Sequence, residues 1–148
     1  MNKEIKILLV EDNEGDIILT RQALKKANVT NGLSVAKDGD EALKYLRKKD
    51  EFANAETPDL ILLDINLPKV DGMEVLAEIK NDETLKIIPV VMLTTSDSEK
   101  DIIRSYHNHA NCYITKPVDF KKFIGVVQMI RDFWISIVKL PKHKTNEQ

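Results

Sequence analysis

The sequence contains few cysteine, proline, glycine and aromatic residues. Its 148 residues include one cysteine, five glycines and five prolines, and 5% of them are aromatic. A single cysteine cannot form an internal disulfide, which excludes the small secreted domains that disulfides hold together. Few glycines and prolines, together with 43% hydrophobic residues, argue against a disordered chain. We therefore expect one globular domain with its own hydrophobic core.

Long hydrophobic runs and a large excess of either charge are also missing. The longest apolar run, residues 87–93, is seven residues long and contains Pro89, whereas a membrane-spanning helix needs about 20 residues. The N-terminus carries no small-residue cleavage site of a secretory signal. The 22 Lys and Arg nearly balance 24 Asp and Glu, which argues against a dedicated nucleic-acid binder. These absences predict a soluble, cytoplasmic protein.

Five short apolar segments alternate with helical patterns along the chain. The predicted strands are residues 5–10, 33–36, 60–63, 90–93 and 112–114. Continuous apolar strands are typical of a parallel sheet with both faces covered. Helices are predicted after Asn13, Asp38, Gly72 and Ser96, and a last one over residues 119–138. This order predicts an α/β doubly wound fold with a five-stranded parallel sheet and five helices.

Charged and hydroxyl side chains follow four of the predicted strands. They are Glu11 and Asp12 after the first strand, Asp64 after the third, Thr94 and Thr95 at the end of the fourth, and Lys116 after the fifth. In a parallel sheet these strand ends lie at one edge, where ligands bind. Three carboxylates placed there repel one another, and a divalent cation removes the conflict. Oxygen ligands favour Mg²⁺ over zinc.

Lysine and threonine side chains around such a centre suit a phosphoryl group, towards which a carboxylate can act as nucleophile. Each of these residues, taken singly, is more simply a helix cap, a loop former or a surface group. Their coincidence after four strands favours a phosphoryl site over that simpler interpretation.

The chain resembles the receiver domain of two-component response regulators. The matching segments are ILLVEDN (7–13), LILLDINLPKVDGMEVL (60–76), PVVMLTTS (89–96) and CYITKP (112–117), and the resemblance extends over residues 5–138. It implies a flavodoxin-like sheet with strand order 2-1-3-4-5. It also implies a receiver domain over residues 1–140 and a short tail, 141–148, with no output domain.

The resemblance implies a role for each site residue. Asp64 is the phosphoacceptor for a sensor histidine kinase, and Mg²⁺ is held by Glu11, Asp12, Asp64 and the backbone carbonyl of Asn66. Thr94 and Lys116 contact the phosphoryl group, Tyr113 is a switch residue with Thr94, Asn66 and Thr95 tune hydrolysis, and the bond before Pro117 is cis. Such a protein is a phosphoacceptor that promotes its own phosphorylation and dephosphorylation, rather than an enzyme with a separate substrate.

The last predicted helix carries two apolar stripes. The first is predicted to face the sheet and consists of Phe120, Phe123, Ile124, Val127, Trp134 and Val138. The second is a candidate partner surface, unless the tail or a neighbouring helix covers it, and consists of Val126, Met129, Ile130, Phe133 and Ile137. Residues 49–58 form a longer connection before the third predicted strand than a minimal receiver needs. Residues 133–141 and the run NCYITKPVDFKKF (111–123) resemble single-domain regulators of bacterial phytochrome-type kinases, such as the cyanobacterial phytochrome response regulators. That resemblance implies a homodimer and a phytochrome-like sensor kinase.

Two other functions are compatible with parts of the pattern. An aspartate-nucleophile phosphatase would share Asp64, but Asn66 stands where such enzymes carry a second aspartate. A phosphorylation-independent binding module would need no metal site, which the complete set of carboxylates, threonine and lysine argues against. The phosphoacceptor is therefore the preferred hypothesis.

Overall fold

The structure, a computed structural model, describes residues 5–26, 32–137 and 140–141, and for residues 135–137 the backbone alone. The strands are β1 Ile7–Val10, β2 Leu33–Ala36, β3 Leu60–Leu63, β4 Val90–Thr94 and β5 Cys112–Thr115. The helices are α1 Glu14–Lys26, α2 Gly39–Leu46, α3 Gly72–Lys80, α4 Glu99–His107 and α5 Phe120–Ile130, with a short 3₁₀ turn at Asp50–Phe52. The strands form one parallel sheet in the order β2-β1-β3-β4-β5. The predicted fold and strand order are confirmed.

The register brings the carboxyl ends of the strands to one edge, which we call the carboxyl edge. Val10 at the end of β1 lies opposite Ala36 of β2 and Leu63 of β3. At the other end of the strand order, Thr94 of β4 lies opposite Thr115 of β5. Residues that follow β1, β3, β4 and β5 therefore meet at the carboxyl edge, as the predicted site requires.

Both faces of the sheet are covered by helices. On one face, side chains such as Leu9 and Leu62 pack in one buried cluster with Leu24 of α1 and Val127 of α5. On the other face, side chains such as Leu8 pack in a second cluster with residues of α2 and α3. Burial on both faces explains why the strands read as continuous apolar runs. None of the described helices is long and apolar enough to cross a membrane.

The helices begin at side-chain caps, and the starts of α3 and α4 differ from the prediction. α3 begins at Gly72 itself, and Asp71 caps it. Asn13 and Asp38 cap α1 and α2 as predicted, because their side chains accept hydrogen bonds from the first-turn backbone. For α4 the predicted cap, Ser96, is wrong. Ser98 directly precedes Glu99, the first helical residue, so its hydroxyl reaches the Asp101 N–H at 3.3 Å.

The last helix changes type along its length. The α-helix ends at Ile130 and continues as a π-helical segment, Arg131–Ile137, whereas the predicted end at Val138 lies outside the described residues. Phe123 and Val127 are buried as predicted, but Phe120 is 48% exposed and Ile130 is 2% exposed. Positions 123, 127 and 130 follow the spacing of one helical face, which places Ile130 against the sheet.

The predicted partner surface on α5 is therefore smaller than expected. Ile130 does not belong to it, and Val126 is half-buried. Met129 and Phe133 are exposed, while the side chain of Ile137 lies outside the described part of the chain.

Candidate functional site

Three carboxylates meet at the carboxyl edge. Glu11, Asp12 and Asp64 each offer one oxygen atom, and these atoms lie within 4.8 Å of one another. Asp12 is exposed, whereas Glu11 and Asp64 are 2% and 7% exposed. Hard divalent cations such as Mg²⁺ and Ca²⁺ bind carboxylate oxygens of this kind. The residues present therefore fit a divalent metal ion.

The backbone at the ends of β1 and β3 fixes these side chains. The Glu11 N–H bonds to Ala36 at 3.0 Å, and the Asn13 N–H donates to Glu11 Oε2 at 3.2 Å. The Asp64 N–H bonds to Val10 at 3.1 Å, and the Ile65 N–H donates to Asp64 Oδ1 at 2.8 Å. Each buried carboxylate thus accepts a hydrogen bond from the loop that follows its strand.

Gly72, the first residue of α3, lies directly against the phosphoacceptor candidate Asp64. Its N–H donates to the Ile65 carbonyl at 2.8 Å. A Cβ at this position would lie 2.0 Å from the Asp64 carbonyl oxygen. Because that neighbour is backbone, a side chain here would displace the segment that carries Asp64. The absence of a side chain at Gly72 thus lets α3 pack against the backbone of Asp64 and fix its position.

Lys116 lies among three carboxylates. Its ammonium donates to Glu11 Oε1 and, at 3.0 Å, to Asp16 Oδ2, and it lies 3.7 Å from Asp64 Oδ2. The lysine side chain is 3% exposed. The sequence patterns identified Glu11, Asp64 and Lys116 but missed Asp16. The signal for Asp16 was its place in the first turn of the helix that follows β1, next to the carboxyl edge.

Burial and charge pull the ionisation of this cluster in opposite directions. Burial raises the pKa of Glu11 to about 7, although the hydrogen bond and the charge of Lys116 lower it. For Lys116, burial opposes the charged form, but the hydrogen bond to Glu11 and the charge of Asp64 outweigh it and raise the pKa of the ammonium. The carboxylates thus outnumber the one buried cation, and a metal ion would supply the missing positive charge.

Hydrogen bonds of hydroxyl groups organise the ends of β4 and β5. Thr94 is buried, and its hydroxyl accepts a hydrogen bond from the Ser96 N–H at 3.3 Å. The Tyr113 hydroxyl donates to the Ser96 carbonyl at 2.8 Å, and the Ser96 hydroxyl donates to Asp101 Oδ2 at 2.6 Å. Ser96, expected only to cap a helix, therefore links Thr94 to Tyr113 and to α4.

Three further predicted site residues have different outcomes. Asn66 and Thr95 follow Asp64 and Thr94 at the carboxyl edge, and both side chains are exposed. The peptide bond between Lys116 and Pro117 is trans, so the expected cis bond is wrong. Trans is the intrinsically favoured isomer before proline, by about 0.5–1 kcal/mol.

Comparison with known proteins identifies the family of this chain. The sequence model of the response regulator receiver domain matches residues 7–128, which include the carboxylates, threonines and lysine of the site. The chain belongs to the response regulator receiver family. Proteins of this family work in two-component systems, where a histidine kinase supplies the phosphoryl group. Family membership therefore favours the phosphoacceptor over the phosphatase and the binding module.

Individual relatives agree with this assignment. The receiver is 49% identical to the response regulator Rcp1 of Synechocystis sp. over 135 residues, which are 91% of this chain and 92% of Rcp1. The structure of the phosphorylated cyanobacterial phytochrome response regulator RcpA superposes with a TM-score of 0.92 at 53% identity, covering 95% of this chain and all of RcpA. The Mn²⁺-bound form of Rcp1 gives a TM-score of 0.89 at 48% identity, covering 93% of this chain and 99% of Rcp1.

Proposed function

We propose that this receiver accepts a phosphoryl group from a sensor histidine kinase on Asp64, in a reaction that requires Mg²⁺. The observation that carries the proposal is the position of the buried Asp64 carboxylate. It lies in one cluster with two further carboxylates and 3.7 Å from the ammonium of Lys116. A nucleophile, a place for a metal ion and a fixed positive charge are the parts that phosphoryl transfer needs.

The residues that would hold Mg²⁺ are Glu11, Asp12, Asp64 and the backbone carbonyl of Asn66. When bound, Mg²⁺ neutralises charge on the phosphoryl oxygens. The Mn²⁺-bound structure of Rcp1 supports a divalent ion, and the all-oxygen ligand set favours Mg²⁺.

In the transfer step, a carboxylate oxygen of Asp64 attacks the phosphorus atom of the kinase phosphohistidine. A P–O bond forms, and the P–N bond breaks with its electron pair staying on the imidazole, which takes up a proton. The product is an acyl phosphate. Lys116 then donates to a phosphoryl oxygen, and so does the Thr94 hydroxyl.

The same site would also catalyse hydrolysis of the acyl phosphate, in which water attacks phosphorus and the P–O bond to Asp64 breaks to give inorganic phosphate. The exposed side chains of Asn66 and Thr95 stand next to Asp64 and Thr94 in the chain, where they can contact an attacking water. The receiver thus promotes both its own phosphorylation and its own dephosphorylation.

The signal would leave the site through Ser96. When Thr94 turns towards the phosphoryl group, the Ser96 N–H loses its acceptor at 3.3 Å. The bond from Tyr113 to Ser96 and the bond from Ser96 to Asp101 then reorganise together. The surface formed by α4 and β5 changes shape as a result.

The proposed partners are a phytochrome-like sensor kinase, which the named relatives support, and a second copy of the chain. The exposed Met129 and Phe133 of the last helix would contribute to a homodimer contact. Light scattering of the intact chain tests the homodimer, and a monomer at all concentrations would contradict it.

A cytoplasmic location, where ATP-dependent kinases act, belongs to the same proposal.

Labelling with acetyl phosphate, a small phosphoryl donor, tests the function. We expect one acid-stable, base-labile phosphate per chain with Mg²⁺, none without it and none in Asp64→Asn. Asp97→Asn is the matched control, because Asp97 is an exposed carboxylate of the β4–α4 loop outside the metal cluster. Rapid turnover of many phosphomonoesters would favour the phosphatase, and failure of the wild type to label would favour the binding module.

A further inference from the structure

Asp16 contacts the site through Lys116 without belonging to the metal cluster. Its Oδ2 lies 3.0 Å from Lys116 Nζ. The lysine has two other carboxylate neighbours, Glu11 and Asp64, and both belong to the cluster of oxygens that could hold a metal ion. Among the described residues, Asp16 is thus the carboxylate on Lys116 that the metal cluster does not use.

The backbone of Asp16 is fixed on both sides. Its N–H donates to Asn13 Oδ1 at 2.9 Å, and its carbonyl accepts from the Thr20 hydroxyl at 2.7 Å. The carboxylate therefore projects from a rigid first turn of α1. Its side chain remains 26% exposed, whereas that of Lys116 is 3% exposed. Asp16 is a stationary partner for a buried ammonium.

The hydrogen-bond acceptors available to Lys116 change when a metal ion binds at the site. An ammonium has three N–H donors, and three carboxylates surround that of Lys116. A metal ion bound by Glu11 and Asp64 competes with Lys116 for their oxygens. Asp16 remains, and a charge-assisted hydrogen bond in a buried site is strong enough to fix a lysine side chain.

We propose that Asp16 is a positioning residue that keeps the ammonium of Lys116 beside Asp64 when metal binding draws Glu11 and Asp64 away from it. This inference rests on the proposed function, because it assigns Asp16 a task in phosphoryl transfer. Asp16 touches neither the metal nor the phosphoryl group, and it acts through Lys116. Without Asp16, the ammonium of Lys116 moves towards other negative charges and no longer lies where it can donate to the phosphoryl oxygens.

The test compares labelling rates with acetyl phosphate at saturating Mg²⁺. Asp16→Asn keeps the shape of the side chain but removes its charge, so we expect a rate about tenfold lower, the size of one charged hydrogen bond. Asp16→Glu, which restores the charge, should recover part of the rate. Glu14→Gln is the matched control, because Glu14 lies in the same helical turn but pairs with Lys37 at 2.6 Å. It should label within about twofold of the wild type.

Thermal unfolding gives a measurement that does not depend on phosphorylation. Asp16→Asn should lower the melting temperature more with Mg²⁺ than without it, because Lys116 then has fewer other acceptors. Glu14→Gln should show no such dependence on Mg²⁺. An equal loss with and without Mg²⁺ would make Asp16 a structural partner alone and overturn the inference.

The labelling results separate the two proposals. If the wild type labels and Asp16→Asn labels at an unchanged or higher rate, the positioning role is wrong while the phosphoacceptor stands. An equal slowing in Glu14→Gln would also overturn it, since the effect would then be one of general charge. If the wild type itself does not label, the proposed function fails first.

Discussion

The two sides of the site are built from different interactions. The acidic side, formed by Glu11, Asp12, Asp16 and Lys116, consists of charged groups, of which all but the exposed Asp12 are buried or half-buried. The hydroxyl side, formed by Thr94, Ser96 and Tyr113, consists of hydrogen bonds of uncharged groups, apart from the bond of the Ser96 hydroxyl to the Asp101 carboxylate. Asp64 lies between them.

The difference separates chemistry from signalling. On the acidic side, removing one charge leaves another buried without a partner, which is costly, so that side has little freedom to rearrange. On the hydroxyl side each hydrogen bond between uncharged groups contributes only about 1 kcal/mol and can be exchanged for another. We therefore assign phosphoryl transfer to the acidic side and the conformational response to the hydroxyl side.

The largest effect should follow removal of the cation on the acidic side. In Lys116→Met, three carboxylates lose their shared ammonium, and we expect the free energy of unfolding without Mg²⁺ to fall by about 3–5 kcal/mol. Mg²⁺ should restore part of it by supplying positive charge. Urea unfolding with and without Mg²⁺ measures both values. Lys121→Met, an exposed lysine of α5, is the control, and an equally small loss in both variants would break the comparison.

The next effect concerns the backbone that holds Asp64 between the two sides. Gly72→Ala would place a Cβ 2.0 Å from the Asp64 carbonyl oxygen, so we expect a loss of about 1–3 kcal/mol together with slower labelling. Gly125→Ala is the control, because a Cβ there would meet no atom within 4 Å apart from its chain neighbours and the nearby backbone of its own helix, and alanine favours a helix by about 0.5–1 kcal/mol. Wild-type stability and labelling in Gly72→Ala would show that Asp64 does not depend on this contact.

The smallest effect is expected on the hydroxyl side. Tyr113→Phe removes the donor to the Ser96 carbonyl and should cost about 1 kcal/mol while labelling stays within about twofold. The change of the Ser96 amide resonance on phosphorylation should differ from that of the wild type. Tyr45→Phe is the control, because it removes a 3.0 Å hydrogen bond to Ser34, and neither residue belongs to the site. It should leave the resonance change of Ser96 as in the wild type. A large loss of labelling in Tyr113→Phe would place chemistry on the hydroxyl side as well.

Much of the acidic side could be predicted from the sequence because its residues directly follow strands. Glu11 and Asp64 are fixed by where β1 and β3 end, and strand ends are readable from short apolar runs. Asp16 was missed because its contact with Lys116 depends on the direction of α1 and on side-chain reach. The spacing of residues along the sequence reveals neither the direction of the helix nor the reach of the side chain.

The prediction was weakest where tertiary packing decides between equivalent local choices. Ser96 and Ser98 can both cap a helix, and the actual start of α4 selects Ser98. Phe120 and Ile130 were exchanged between the buried and exposed faces of α5, because apolar residues occupy more of this helix than one face and the spacing alone does not say which of them meet the sheet. The bond before Pro117 also differs from the prediction, because it keeps the trans form that is intrinsically favoured before proline.

The most direct test of the account is to locate the phosphate on the chain. The protein is phosphorylated with acetyl phosphate and Mg²⁺, the acyl phosphate is reduced with borohydride to homoserine, and the digested peptides are sequenced by mass spectrometry. The account predicts homoserine at position 64 and at no other carboxylate, with no product when Mg²⁺ is removed. Homoserine at Asp12 or Asp16, 5-hydroxynorvaline from a reduced glutamyl phosphate at Glu11, or labelling of Asp64 that does not need Mg²⁺, would contradict it.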